Sequence, residues 1–195
     1  PHGFSLKPSH AKMLQEADIV IYVGEGMEEF LEKPLESLAQ NAVKFELLKQ
    51  SGMKKLKFRE RNIFEGHDDH DDHDHDKKAK KEDHDDHGHD DHGHGHGEFD
   101  PHIWLDPMNA KTIVKKVTNQ LSKLDKDNSS TYKSNSKKAL KEIDNLIKQV
   151  KSDINKDAKV VVFHDAYQYF EKRFDVNIIG ALTVNTDVLP GAEQL

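Results

Sequence analysis

The sequence predicts an α/β protein made of two α/β units that one long helix joins. Two short runs, residues 19–23 and 160–163, are continuously apolar, as is typical of strands in a parallel sheet that is covered on both faces. Each run is followed by a segment in which apolar residues recur at helical spacing. Residues 129–154 carry one apolar stripe at that spacing, and as a helix they would extend nearly ~40 Å. A crossover helix is ordinarily shorter, so we expect this helix to act as a strut between the two units.

The predicted elements of the first unit are a helix at 9–16, a strand at 19–23, a helix at 27–39 and a strand at 43–48. Ser9 is a suitable N-cap for the first helix. Helical spacing places Met13, Leu14 and Ala17 on the inner side of that helix. Pro34 is expected to interrupt the second helix, because proline lacks the backbone N–H that a helix interior needs. The order strand, helix, strand predicts a βαβ unit.

Two glycines directly follow the first predicted strand. Gly24 and Gly26 stand where a dinucleotide-binding turn has its first two glycines, but Glu29 occupies the third glycine position. We therefore exclude a nucleotide site and interpret the two glycines as a turn between strand and helix.

The predicted elements after the middle of the chain are helices at 107–124 and 129–154, a strand at 159–163, a helix at 165–174 and a strand at 176–182. Asp106 and Pro107 are a good N-cap and first helical residue for the first of these helices. The predicted organisation is a first lobe at 1–128, a linking helix at 129–154 and the start of a second lobe at 155–195. Both ends of the chain would leave strand edges unpaired. We thus expect a fragment that lacks an N-terminal strand and much of the second lobe.

A tract rich in histidine and aspartate interrupts the first lobe. Of the 14 histidines, 10 lie in this tract: His67, His70, His73, His75, His84, His87, His89, His92, His94 and His96. Residues 65–98 carry a net charge of −10, whereas the rest of the chain is +3. Imidazole and carboxylate both bind borderline divalent metals, so the tract predicts several weak metal sites. Its composition cannot build a core, and we expect it to be disordered without metal.

Composition excludes several classes of protein. Cysteine is absent, so neither disulfides nor thiolate metal sites are available. The longest apolar runs are far shorter than the roughly 20 residues that a membrane span needs. The lysines of residues 133–159 alternate with acidic residues and lack aromatic neighbours, which indicates a solvated helix face rather than a nucleic-acid site. No leader of charged and then apolar residues precedes Pro1, so no signal peptide is expected in this chain.

Four histidines lie outside the tract: His2, His10, His102 and His164. His164 ends a predicted strand, which is where open α/β sheets bind ligands. A single histidine in such a place is more often a core or capping residue. His2, His102 and His164 together, beside a histidine-rich tract, favour a metal site instead, and we take His10 as an ordinary surface residue.

Four segments carry a family resemblance: residues 1–9 read PHGFSLKPS, residues 17–24 ADIVIYVG, residues 100–107 DPHIWLDP and residues 163–170 FHDAYQYF. In this order they resemble the landmarks of the periplasmic, metal-binding solute-binding proteins of zinc and manganese ABC importers. The acidic histidine-rich insertion ahead of the second histidine motif resembles the zinc-specific, ZnuA-like branch.

The resemblance implies two α/β lobes joined by a long rigid helix, with the metal in the cleft between the lobes. It implies that His2 and His102 from the first lobe and His164 from the second lobe bind Zn²⁺, and it assigns no fourth ligand. Three neutral nitrogens suit zinc. The implied role is extracytoplasmic capture of zinc and its delivery to a membrane ABC permease, by a periplasmic monomer that is not an enzyme.

Other functions remain as alternatives. A histidine-rich storage or sensor protein would bind zinc through the tract alone. A zinc hydrolase also uses three histidines and an open fourth position, and Asp165 is a conceivable base. His87, His89, Asp91 and His92 match the H-x-H-x-D-H pattern of metallo-β-lactamase-type hydrolases, but repeats of this composition produce that spacing by chance. A last alternative concerns the tract alone, which could be a solvated loop without a role.

Overall fold

The computed structural model describes residues 4–24, 26–59 and 98–183. The helices are α1 (Pro8–Glu16), α2 (Glu32–Ser37), α3 (Pro107–Leu124), α4 (Ser129–Asp153) and α5 (Gln168–Phe174). The strands are β1 (Ile19–Tyr22), β2 (Val43–Glu46), β3 (Lys159–His164) and β4 (Asn177–Thr183). Short 3₁₀ helices cover Glu29–Leu31 and Ile103–Leu105. His2, the histidine tract and its predicted disorder lie outside the described residues.

The predicted βαβ unit of the first lobe is confirmed. Strands β1 and β2 are parallel, with Ile19 beside Val43 at one end and Tyr22 beside Glu46 at the other. The backbone N–H of Leu47 then donates to the carbonyl of Tyr22 at 2.9 Å, so the pairing continues past the end of β2.

Gly24 makes the turn after β1 that the sequence predicts. Its φ is +131°, a conformation that L side chains rarely adopt, and Gly26 has a φ of +83°. A Cβ atom on Gly24 would also lie 2.9 Å from Oε1 of Glu46. The first glycine is therefore required by its backbone conformation, and the Glu46 side chain would have to shift to admit a Cβ.

We expect Gly24→Ala to lower the free energy of unfolding by about 1–3 kcal/mol, because alanine at this φ is strained. Urea unfolding followed by circular dichroism measures the change. Gly52→Ala is a suitable control, since its φ is also positive, at +86°, but the nearest atom to an added Cβ is 3.7 Å away. Equal losses in the two variants would show that the contact with Glu46 adds nothing.

Three local predictions about the first two helices are wrong. Helix α1 begins at Pro8 with Lys7 as its N-cap, not with Ser9, because proline is favoured in the first turn. Met13 is 66% exposed, and only Leu14 of this helix is buried. Helix α2 is not interrupted at Pro34, since it begins only at Glu32 and a first-turn residue needs no N–H partner.

Helices α3 and α4 pack against each other. Asp106 caps α3 as predicted, since its carboxylate accepts a hydrogen bond from the N–H of Met108 at 2.9 Å. Helix α4 has 25 residues, which corresponds to roughly 37 Å. Lys111 on α3 pairs with Asp144 on α4 at 2.7 Å. The predicted strut is thus a single helix that is braced along one side by α3.

The second lobe contains a parallel pair of strands, β3 and β4, with an irregularity between Val160 and Val161. The prediction that the strands are covered on both faces is wrong for the residues that the structure describes, where Val161 is 50% and Phe163 58% exposed. Helix α5 begins three residues later than predicted, because the N–H of Asp165 still donates to the carbonyl of Thr183.

Helix α5 belongs to the second lobe by sequence but also packs into the first. Tyr169 is 1% exposed and lies in one apolar cluster with first-lobe residues that include Val23, Phe45 and Ile103. The predicted lobe boundaries at 128 and 154 remain a prediction, and the core of the first lobe extends across them. No helix among the described residues is long and apolar enough to cross a membrane.

Candidate metal site

His102 occupies a buried position that fixes the orientation of its imidazole ring. Its side chain is 9% exposed, and Nδ1 lies 2.8 Å from Oδ1 of Asp100. The same Oδ1 accepts the backbone N–H of His102 at 3.0 Å. A carboxylate at Nδ1 favours the tautomer with the proton on Nδ1 and the lone pair on Nε2. Nε2 is therefore the ring nitrogen of His102 that could coordinate a metal.

His164 approaches His102 from the second lobe. It is the last residue of β3 and lies opposite Thr183 of β4. Its Nε2 is 3.4 Å from Nε2 of His102, with the two ring planes at 61°. Two nitrogens that each lie about 2.0–2.1 Å from one tetrahedral zinc ion are about 3.3 Å apart. The observed separation is compatible with a shared zinc ion, and it is also within the range of a hydrogen bond between the two rings.

We call the site predicted at His2, His102 and His164 the tight site. The structure brings together two of its three predicted ligands, His102 and His164. His2 and all ten histidines of the tract lie outside the described residues, so their predicted roles stay predictions. Within residues 4–24, 26–59 and 98–183, no third histidine, aspartate or glutamate completes a group of three potential ligands.

His10 is more than an ordinary surface residue. It is half-buried, its Nδ1 accepts the backbone N–H of Lys7 at 3.1 Å, and its ring lies 5.2 Å from that of Phe4. These contacts explain His10 as part of the start of α1.

Asp165 follows His164 but is engaged elsewhere. Its Oδ2 lies 3.0 Å from Nε of Arg59, and the same guanidinium pairs with Glu171. Burial raises the pKa of the Asp165 carboxyl, and the nearby Arg59 only partly opposes this effect. Its Oδ1 is buried without a hydrogen-bond partner among the described residues. The structure therefore places Asp165 before helix α5, not at its start as predicted, in an ion pair with the first lobe.

Helix α5 makes three further contacts with the segment around His102. The hydroxyl of Tyr169 donates to the carbonyl of Asp100 at 2.8 Å and accepts the N–H of Leu56 at 2.9 Å. Burial raises the pKa of Tyr169 to about 12. Gln168 donates to Oδ2 of Asp100 at 3.2 Å. Arg173 binds both carboxylate oxygens of Asp106, at 2.7 and 2.6 Å, and this hydrogen bonding raises the pKa of Arg173.

Sequence reasoning missed most of these supporting residues. Asp100 had a usable signal, because an acidic residue two positions before a candidate histidine ligand can orient its ring. The sequence contains no such signal for Gln168, Tyr169 and Arg173, since their partners lie 67 to 113 positions away in the chain.

All 195 residues match the family described as "Zinc-uptake complex component A periplasmic". The chain belongs to this family. It is 38% identical over 203 residues to the high-affinity zinc uptake system protein ZnuA of Brucella abortus (strain 2308), covering 100% of this chain and 61% of that protein. The chain thus spans about three fifths of the length of this relative.

Solved structures show the same fold. A crystal structure of ZnuA aligns with a TM-score of 0.70 at 20% identity, over 100% of this chain and 61% of the other. The periplasmic zinc binding protein TroA from Treponema pallidum aligns with a TM-score of 0.68 at 18% identity, over 100% of this chain and 59% of the other. The predicted fold class, two α/β lobes joined by a long helix, is confirmed.

Proposed function

We propose that this chain captures zinc in the periplasm and delivers it to a membrane ABC permease, as a monomer and without catalysis. Its cargo is Zn²⁺, held by His102, His164 and His2. The observation that carries the proposal is the 3.4 Å separation of the two Nε2 atoms, one from each lobe. Membership of the zinc-uptake family supports transport over the hydrolase alternative.

Ligands from two lobes suit a carrier, because the metal is released when the lobes change their relative position. A partner can promote release only if the open and closed states bind zinc differently. A small lobe movement that takes His164 away from His102 would separate the two proposed ligands. The same movement would have to break the contacts between α5 and the first lobe.

The tract is proposed as an auxiliary set of weak sites, separate from the tight site. Described residues on either side of the tract are held together, because Lys57 and Phe99 form an antiparallel bridge and the N–H of Asp100 donates to the carbonyl of Leu56. A short connection between these residues closes the loop at little entropic cost. The tract can therefore be removed without separating the segments that hold His102.

We expect deletion of residues 67–96 to abolish several weak, rapidly exchanging zinc sites and to leave one tight site with unchanged Kd. The reason is that the composition of the tract is not expected to build a rigid support for its ligands, whereas His102 is fixed by Asp100. Calorimetric zinc titration of the chain, with and without the tract, measures both classes of site.

The matched control keeps the loop length and replaces the ten tract histidines with asparagine. It should lose the weak sites in the same way as the deletion. Loss of all zinc binding in both variants would replace the carrier function with histidine-rich storage or sensing.

A further inference from the structure

Gln168 lies at the start of α5, four positions after His164, and is 5% exposed. Its Nε2 donates two hydrogen bonds to the first lobe, one to the carbonyl of Lys57 at 3.1 Å and one to Oδ2 of Asp100 at 3.2 Å. Its Oε1 accepts from Nζ of Lys172 at 3.3 Å. These three partners determine the amide orientation, since a flipped amide would place Oε1 against two acceptors.

Asp100 is the residue through which Gln168 reaches the candidate site. It is 1% exposed, and its Oδ1 accepts both hydrogen bonds from His102. Gln168 holds the other carboxylate oxygen. Because a buried carboxylate with one oxygen unsupported can rotate about its terminal torsion, the Gln168 contact limits the directions in which Asp100 can point.

We propose that Gln168 is a positioning residue for zinc binding. It fixes the Asp100 carboxylate, which in turn holds the imidazole of His102 with Nε2 directed toward His164. Because Gln168 belongs to the helix that follows His164, one side chain couples the orientations of the ligands from the two lobes. The proposal rests on the proposed function, in which His102 and His164 bind zinc.

The test uses Gln168→Leu and Gln168→Glu in the chain without residues 67–96, so that only the tight site is titrated. Leucine removes both donors, and glutamate places an acceptor against Asp100 and the Lys57 carbonyl. We expect Kd for Zn²⁺ to rise about 10- to 100-fold in each variant, the range for partners that orient metal ligands. Competition with a chromophoric chelator measures Kd.

A second measurement separates positioning from general stability. Long-range ¹H–¹⁵N correlation of the zinc-free protein, at a pH where imidazole is neutral, reports the tautomer of His102. We expect a single Nδ1–H tautomer in the parent and a mixture in both Gln168 variants. Gln50→Leu is the matched control, because Gln50 also donates to a backbone carbonyl, that of Glu46 at 2.8 Å. The Gln50→Leu variant should have the same Kd for Zn²⁺ and the same His102 tautomer as the parent.

The outcomes distinguish this inference from the proposed function. Wild-type Kd and a single tautomer in both Gln168 variants, with zinc binding lost in His102→Ala, would overturn only the role of Gln168. If both Gln168 variants unfold at a lower temperature but bind Zn²⁺ with the wild-type Kd, Gln168 contributes to stability alone and the proposal is overturned. Undiminished zinc binding in His102→Ala would overturn the proposed function itself.

Discussion

Replacing His102 or His164 with alanine will weaken the tight zinc site by about 100-fold or more. Structural zinc sites with four ligands contribute about 10–16 kcal/mol of binding free energy, so one ligand accounts for about 3 kcal/mol, or roughly 100-fold in Kd. His102→Ala additionally leaves Asp100 without its imidazole partner. The measurement is chelator competition in the protein without residues 67–96.

The control is His10→Ala, which removes a first-lobe histidine that is engaged with the backbone of Lys7. It should bind zinc as the parent does. Wild-type affinity in His102→Ala or in His164→Ala would show that the residue concerned is not a ligand, and the 3.4 Å contact would then be only a packing feature.

Replacing Arg173 with alanine will lower the free energy of unfolding by about 3 kcal/mol, since it leaves a buried carboxylate without its cation. Asp106 is 1% exposed, and Arg173 binds both of its oxygens. Arg173→Lys should recover only part of the loss, because an ammonium group cannot reproduce the bidentate geometry. Urea unfolding with a fluorescence or circular dichroism signal measures the difference.

Lys156→Ala is the matched control for this ion pair. Lys156 and Asp175 are 3.0 Å apart, but their side chains are 60% and 83% exposed. An exposed pair contributes only about 0–1 kcal/mol, so this variant should unfold almost as the parent does. If Arg173→Ala were equally mild, the contact between α5 and the cap of α3 would not hold the two lobes together.

Local patterns in the sequence were sufficient for most of the fold. The apolar run at 19–23 predicts β1 because a short, continuously apolar run is typical of a strand, although Ile21 is 41% exposed. Asp106 and Pro107 predict the start of α3 because capping depends on atoms only two residues apart. Local rules failed at Ser9, because the proline at position 8 begins α1 instead, and at Met13, which is exposed although helical spacing places it on the apolar side of the helix.

The candidate site was predictable only in part, and the reason is the distance along the chain over which its contacts form. The sequence by itself determined the strands, the long helix and the chemical type of the candidate ligands, because these follow from side-chain chemistry and from short-range periodicity. Only the tertiary structure decided that His164 meets His102 across 62 positions and that α5 supports Asp100 and Asp106. Such contacts depend on how whole elements pack, and no pattern of a few residues specifies that arrangement.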